Sequence, residues 1–252
     1  MNEKPLLSIA VLAGFGHHFL HRTLETLSSQ EQKNFEIVLL DSRDPREWAK
    51  FRADVPVIAE RLTDGSLSEQ MNQAIALSSG RYIQFLHPGE YLLSQQATAY
   101  MEKVASENDW PEIVYGAFLQ TDPVKPPRAA TYPLRLLSSG VDPTLLPAHW
   151  FLKSALVGIG GFNLRYSYRP SFDALCSLMQ KKARAVYTRH VLVDGQWRDK
   201  TAFETASFTF ETCEILFRHF GVRRAISWLF VQDRRRMLRR LWKKFKDAFR
   251  KV

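Results

Sequence analysis

Cysteine is scarce in this 252-residue chain. Cys176 and Cys213 are the only two, so there is neither a disulfide framework nor metal-ligand spacing. Long apolar runs are missing as well, and no stretch reaches the ~18 uninterrupted apolar residues of a membrane-crossing helix. The opening residues carry no charged leader and no small-residue cleavage site. The first apolar run, Leu6 to Leu12, is stopped so early by Gly14 and Gly16 that it reads as a strand rather than a signal segment. Internal repeats and low-complexity tracts are absent. A cytosolic location is the default expectation.

Charge is unevenly placed. The formal net charge is +9, yet residues 221–252 hold 12 Lys/Arg against Asp233 and Asp247, so the remaining 220 residues sum to −1. A near-neutral body with a polycationic end points to an anionic surface as partner rather than to general nucleic-acid coating.

Short β-rich runs alternate with helix-length amphipathic segments. Strands are expected at Leu7–Ala13, Glu36–Leu40, Val55–Ala59, Tyr82–Leu86, Ile113–Leu119 and Ala185–Val193. Helices are expected at Phe19–Ser29, Leu67–Ser78, Leu93–Ala105 and Ser171–Lys181. Gly80 follows the second helix where a C-cap glycine is favoured. A stretch with six prolines, Thr121 to Pro147, reads as a binding loop or lid. Alternation with short connections implies an α/β fold with parallel strands joined by crossovers. In such sheets ligands bind beyond the carboxyl ends of the strands. Asp41 and the His87-Pro88-Gly89-Glu90 turn both follow strand ends, so both are expected on that rim.

The order of motifs resembles the family-2 glycosyltransferases of GT-A type over roughly residues 5–195. Leu7-Ser8-Ile9-Ala10-Val11-Leu12-Ala13 with Leu24-Glu25-Thr26-Leu27-Ser28-Ser29-Gln30 is similar to that family's first strand and helix. Phe35-Glu36-Ile37-Val38-Leu39-Leu40-Asp41 is similar to its second strand with the nucleotide-contacting aspartate. Asp64-Gly65-Ser66, Met71-Asn72-Gln73-Ala74-Ile75 and Gly80-Arg81-Tyr82-Ile83-Gln84-Phe85-Leu86 resemble the approach to its metal motif. Gly160-Gly161-Phe162-Asn163 resembles the turn before its catalytic base. The resemblance implies a GT-A-like fold, a mostly parallel central sheet flanked by helices. It also implies an inverting transfer of a sugar from a nucleoside diphosphate, UDP foremost, to a saccharide or lipid-linked acceptor, in bacterial surface-polysaccharide assembly.

What the resemblance implies for single residues can be stated position by position. Ala13, Asp41, Asp64, Gly65, Asn72, Arg81 and His87 would meet the nucleotide sugar; the alternatives are a turn before the Leu67 helix for Asp64-Gly65, the cap of a neighbouring loop for Asn72 and an exposed arginine after a glycine for Arg81. Departure of the diphosphate develops negative charge, which GT-A enzymes usually stabilise with a divalent cation held by an Asp-x-Asp turn. Here that turn aligns with His87-Pro88-Gly89-Glu90, so Glu90, with His87, would hold Mg2+ or Mn2+; one or two carboxylates suffice when phosphates and water complete the shell. The alternative for His87 is a phosphate contact or a half-buried structural histidine, and for Asp41 an aspartate that turns the chain. The family's base position falls on Ser171, and Asp173 two residues on is the candidate to replace it; both residue types also suit a helix N-terminus. His149 and Trp150 would form an acceptor wall or belong to the core. His17, His18 and His21 read as solvated.

At the C-terminus Leu238, Leu241, Trp242, Phe245, Phe249 and Val252 recur at helical spacing among Arg239, Arg240, Lys243, Lys244, Lys246, Arg250 and Lys251. Such basic amphipathic helices can lie in an anionic membrane interface, which suits a lipid-linked acceptor and a peripheral position on the inner face of the plasma membrane. The alternative is docking on the chain's own domain or on a second copy, giving a homo-oligomer. No stacking-aromatic motif accompanies the charge, so nucleic acid is not expected. Residues 1–200 are read as the GT-A-like domain, with its nucleotide half at about 1–120 and its acceptor half at about 121–200, and 201–252 as a basic helical extension.

Overall fold

The computed structural model describes residues 4–44, 54–121, 128–196 and 201–231. The amphipathic stretch 238–252 expected to meet a membrane lies outside them. Among the described residues, nine strands form one mixed sheet. In chain order they are β1 Leu7–Ala13, β2 Phe35–Asp41, β3 Val57–Arg61, β4 Tyr82–Leu86, β5 Tyr91–Leu92, β6 Ile113–Thr121, β7 Arg128–Ala130, β8 His149–Leu152 and β9 Ala185–Gln196. The spatial order is β3-β2-β1-β4-β8-β6-β9-β5, with β7 paired to β6. The run β3-β2-β1-β4 is parallel, β8 lies antiparallel between β4 and β6, and β9 is again parallel to β6.

β1 and β2 are buried at all seven positions, as expected of parallel strands covered on both faces. Side chains alternate between those faces. Ala10, Leu12, Val38 and Leu40 join one apolar cluster, and Ile9, Val11, Ile37 and Leu39 the other. Helices α1 (Leu20–Ser28) and α3 (Ala97–Glu107) cover the second face through Leu20, Leu24, Leu27 and Met101. Helices α2 (Leu67–Leu77), α4 (Lys153–Gly158), α5 (Pro170–Gln180) and α6 (Ala202–Phe220) cover the first through Met71, Leu156, Leu175 and Ile215. Residues 222–231 are also helical and add Ala225 and Trp228 to that cluster.

Several expectations change in detail. Leu93 precedes rather than begins α3, because Tyr91–Leu92 pair with Asp194 and Val193 as strand β5. The proline-rich stretch carries β7 and two short 3-10 turns, Leu134–Ser139 and Leu146–Ala148. Gly80 is not a left-handed cap: α2 ends at Ser78 in extended conformation. Glycine is needed at 80 because a Cβ there would lie 2.6 Å from the Ser8 amide nitrogen. That close approach builds the amino edge of the sheet, where the buried Glu36 carboxylate accepts from the Ser8 hydroxyl at 2.6 Å, the Ser79 hydroxyl at 2.6 Å and the Gly80 amide at 3.3 Å. Burial alone would raise the Glu36 pKa, but these donors and the Ser79 amide hold it below the ordinary value.

Candidate active site

The carboxyl edge of the parallel half is set by register. Ala13 ends β1 opposite Asp41, which ends β2. Leu86 ends β4 opposite Val11, so the His87–Glu90 turn starts level with the last residues of β1. Asp41 and Glu90 therefore stand on the same edge, on either side of β1. The segment after β1 joins them. Phe15 stacks on the His87 ring with centroids 5.6 Å apart. Two residues on, past Gly16 at φ +68°, His17 places Nδ1 3.4 Å from Asp41 Oδ1 and Nε2 3.3 Å from Ser42 Oγ. A left-handed residue between the two rings aims them in different directions, and glycine takes that conformation without strain.

Asp41 is fully buried and does two jobs. Its Oδ1 accepts from the Arg43 amide at 2.8 Å, the side chain-to-backbone turn that aspartate favours after a strand. The Arg43 guanidinium also grips it, Nε to Oδ1 at 3.3 Å and a terminal nitrogen to Oδ2 at 3.0 Å. Asp64 and Gly65 lie exposed beyond β3 on the same edge. The segment after β1 runs beside them: a Cβ on Gly14 would meet Leu62 at 3.1 Å and Gln70 at 3.9 Å, and Gln70 donates to the Gly65 carbonyl at 3.2 Å.

The His87–Glu90 turn closes on itself. The Glu90 amide donates to the His87 carbonyl at 3.0 Å, and Glu90 Oε2 accepts from the His87 amide at 2.8 Å while lying 3.4 Å from His87 Nδ1. Gly89, at φ +93°, donates its amide to Thr23 of α1 at 2.8 Å, which fixes the turn to the rest of the rim. Among the described residues no group of three His, Cys, Asp or Glu side chains is placed to hold a metal. One carboxylate and one imidazole fit a divalent cation only when donor phosphates supply most of its shell.

Six other expected site residues are accounted for by the sheet edge, the core or partners within the fold. Arg81 directly precedes β4 and so stands at the amino edge of the sheet, its guanidinium 4.0 Å over the Trp110 ring, away from the rim at the carboxyl ends of the strands. Asn72 is spent on structure: its amide donates to the Phe162 carbonyl at 2.8 Å and accepts from the Phe162 amide at 2.8 Å. His149 and Trp150 are core residues, 1% and 2% exposed, and form no acceptor wall. The His149 ring packs against Tyr115 and Phe151. Burial pushes its pKa down to about 4, although contact with the Leu145 and Leu146 carbonyls works the other way. Asp173 is buried on α5 and accepts from, or pairs with, His219 Nε2 of α6 at 2.7 Å. Ser171 is half-buried in the first turn of the same helix.

Three further residues, His17, Phe15 and Arg43, stand on the rim. The sequence points to a solvated His17, His18 and His21; in the structure only His18 and His21 are exposed. Phe15 and Arg43 had a local signal, an aromatic between two glycines past a strand end and a cation two residues past the aspartate. Only the pairing of β1 with both β2 and β4 makes the positions meaningful.

No protein-family model and no curated protein matches the sequence. Solved structures do match the fold. The chain is similar to S. aureus TarS 1-349 in complex with UDP-GlcNAc, with a TM-score of 0.68 and 12% identity over 88% of this chain and 71% of that one. The same fragment with UDP gives a TM-score of 0.65 and 12% identity, covering 88% and 70%. The mannosyltransferase PcManGT from Pyrobaculum calidifontis, in complex with GDP-Man and Mn2+, gives 0.62 and 15% identity, covering 87% and 64%. These likenesses define the class: the chain has a GT-A-like glycosyltransferase fold, with a curled, mixed sheet between helices.

Proposed function

We propose that this chain is an inverting glycosyltransferase of the family-2 type, taking a hexose from a nucleoside diphosphate, UDP foremost, to a saccharide or lipid-linked acceptor of bacterial surface-polysaccharide synthesis. The observation that carries the reading is the shared rim: Ala13, Asp41, the Phe15–His17 segment and the His87–Glu90 turn all stand at one sheet edge. The solved structures of similar fold contain UDP-GlcNAc, UDP, or GDP-Man with Mn2+.

On this reading Arg43 leaves Asp41 when the base or ribose enters, and Asp41 then accepts from the nucleotide. Asp64 and Gly65 line the far side of the cleft. Glu90, with His87 beside it, would hold Mg2+ or Mn2+, which would supply charge stabilisation for the departing diphosphate. The anionic membrane surface is the proposed partner of the basic C-terminal segment, which would put the enzyme on the inner face of the plasma membrane beside a lipid-linked acceptor.

One observation favours a second reading, a GT-A-like module that binds donor without turnover. The base position holds Ser171, and Asp173 is committed to His219. The two readings separate in one assay. Release or transfer of sugar from UDP-sugars with Mn2+ is expected in the native protein and should fall about a hundredfold in Glu90→Ala. UDP should raise the melting temperature of the native protein and fail to do so in Asp41→Ala. A thermal shift with no turnover in any donor supports the second reading, and neither signal rejects both.

A further inference from the structure

We infer that the outer face of α6 and of the helical run after it is a docking surface for an anionic lipid bilayer. The inference rests on the membrane partner proposed above for the nature of the ligand, but it is carried by different residues.

Among the described residues, α6 is held on its inner side and exposed along its outer one. A capping box starts it, with Thr201 and Glu204 each bonding the other's amide. Ile215 and Leu216 are fully buried in the core cluster. Glu211 accepts from three successive amides, Ser167, Tyr168 and Arg169, at 2.8 to 2.9 Å. Opposite them, Phe203, Phe210 and Phe217 are 73%, 69% and 58% exposed. Seven residues fall only about 20° short of two helical turns, so the three rings form a line about 21 Å long. Single exposed apolar side chains are ordinary, but an aligned row of phenylalanines marks an interaction site.

The residues after Gly221 repeat the arrangement. Ala225 and Trp228 turn into the core, while Val222, Ile226, Leu229 and Phe230 are exposed.

Charge selects the occupant. α6 contains three acidic residues and each is engaged: Glu204 in the cap, Glu211 on the three amides, Glu214 with Arg165 at 2.8 Å. Arg218, Arg223 and Arg224 are exposed beside the apolar residues, and the segment 221–252 carries +10. An anionic bilayer offers both an apolar interior for the rings and negative headgroups for the arginines. A second copy of this chain would bring the same positive charge against itself, which opposes association.

The test uses the full chain and flotation on phosphatidylcholine vesicles with and without phosphatidylglycerol. The native protein should float only with phosphatidylglycerol. The triple variant Phe203→Ser/Phe210→Ser/Phe217→Ser should lose about tenfold in binding while keeping the native melting temperature. The matching triple Phe→Leu variant should bind like the native chain. A second full-length variant, Lys243→Glu/Lys244→Glu/Lys246→Glu, probes the tail by itself. Undiminished flotation of the serine variant overturns the inference, and loss only in the glutamate variant then leaves the tail as the membrane contact. A native protein that never floats overturns both. A serine variant that floats normally but changes its mass by light scattering makes this face an interface between copies and likewise overturns the inference.

Discussion

His149 shows how burial changes the meaning of a residue. Its ring lies between Tyr115 and Phe151, Nδ1 is 3.0 Å from the Leu145 carbonyl, and Nε2 is buried with no partner among the described residues. The folded chain therefore keeps this imidazole neutral down to about pH 4. The unfolded chain protonates it near the ordinary value of about 6.5. Between those two points the unfolded state binds more protons, so stability rises with pH. It is complete above about pH 6.5 and falls by about 3 kcal/mol as the pH drops to the folded value. In His149→Phe that part of the slope should vanish, which chemical denaturation of both proteins between pH 7 and pH 4 would show. An equal slope in the variant would assign the acid sensitivity to other groups. Glu36 acts in the same sense at lower pH: its depressed pKa gives stability that is complete above the ordinary carboxylate value and is lost as the pH falls from there through its folded-state value.

At the scale of elements, α2 and the Gly160–Phe162 turn are bound through one side chain. Gly161, at φ +77°, puts the Phe162 amide and carbonyl within reach of both ends of the Asn72 amide. The turn then delivers Phe162 edge-on to Phe85 of β4, with centroids 5.4 Å apart. Asn72→Ala should cost about 2 kcal/mol, because two backbone groups lose their partners together. Gly161→Ala should cost a similar ~1–3 kcal/mol from the left-handed backbone and from a Cβ 2.5 Å from Asn72 Oδ1. Since the second effect needs Asn72 to be present, the double variant should be less damaged than the sum of the two. Urea unfolding of the four proteins measures this directly, and strict additivity would mean that the two residues do not meet.

For the whole molecule, the domain boundary expected at residue 200 and the boundary of the core do not coincide. Ile215, Leu216, Ala225 and Trp228 belong to the same apolar cluster as Ala10, Val38 and Phe85. A chain ending at Lys200 would expose that cluster and strand Asp173 and the amides of Ser167, Tyr168 and Arg169 without His219 and Glu211. It should be insoluble or melt far below the full chain, as judged by soluble yield and differential scanning calorimetry. A cooperative, native-like transition in that fragment would show α6 to be dispensable.

Six of the nine described strands, the principal helices and the position of Asp41 and His87–Glu90 past strand ends were legible in the sequence, because period-2 and period-3.6 patterns and the residues after strand ends are local properties; the short strands β5, β7 and β8 were not. Those local pieces alone gave an α/β fold, and the resemblance carried by their order implied its GT-A-like form. Which of the open alternatives a residue takes was decided by long-range packing and was not legible. Asn72 became a clamp because Gly161 lies opposite it, Arg81 went to the far edge because it directly precedes its strand, and Asp173 was taken by a histidine 46 residues away. His149 and Trp150 were buried because β8 inserts antiparallel between β4 and β6. A side chain's type states what chemistry it can do; which partner it meets is fixed only when the sheet order brings distant segments together.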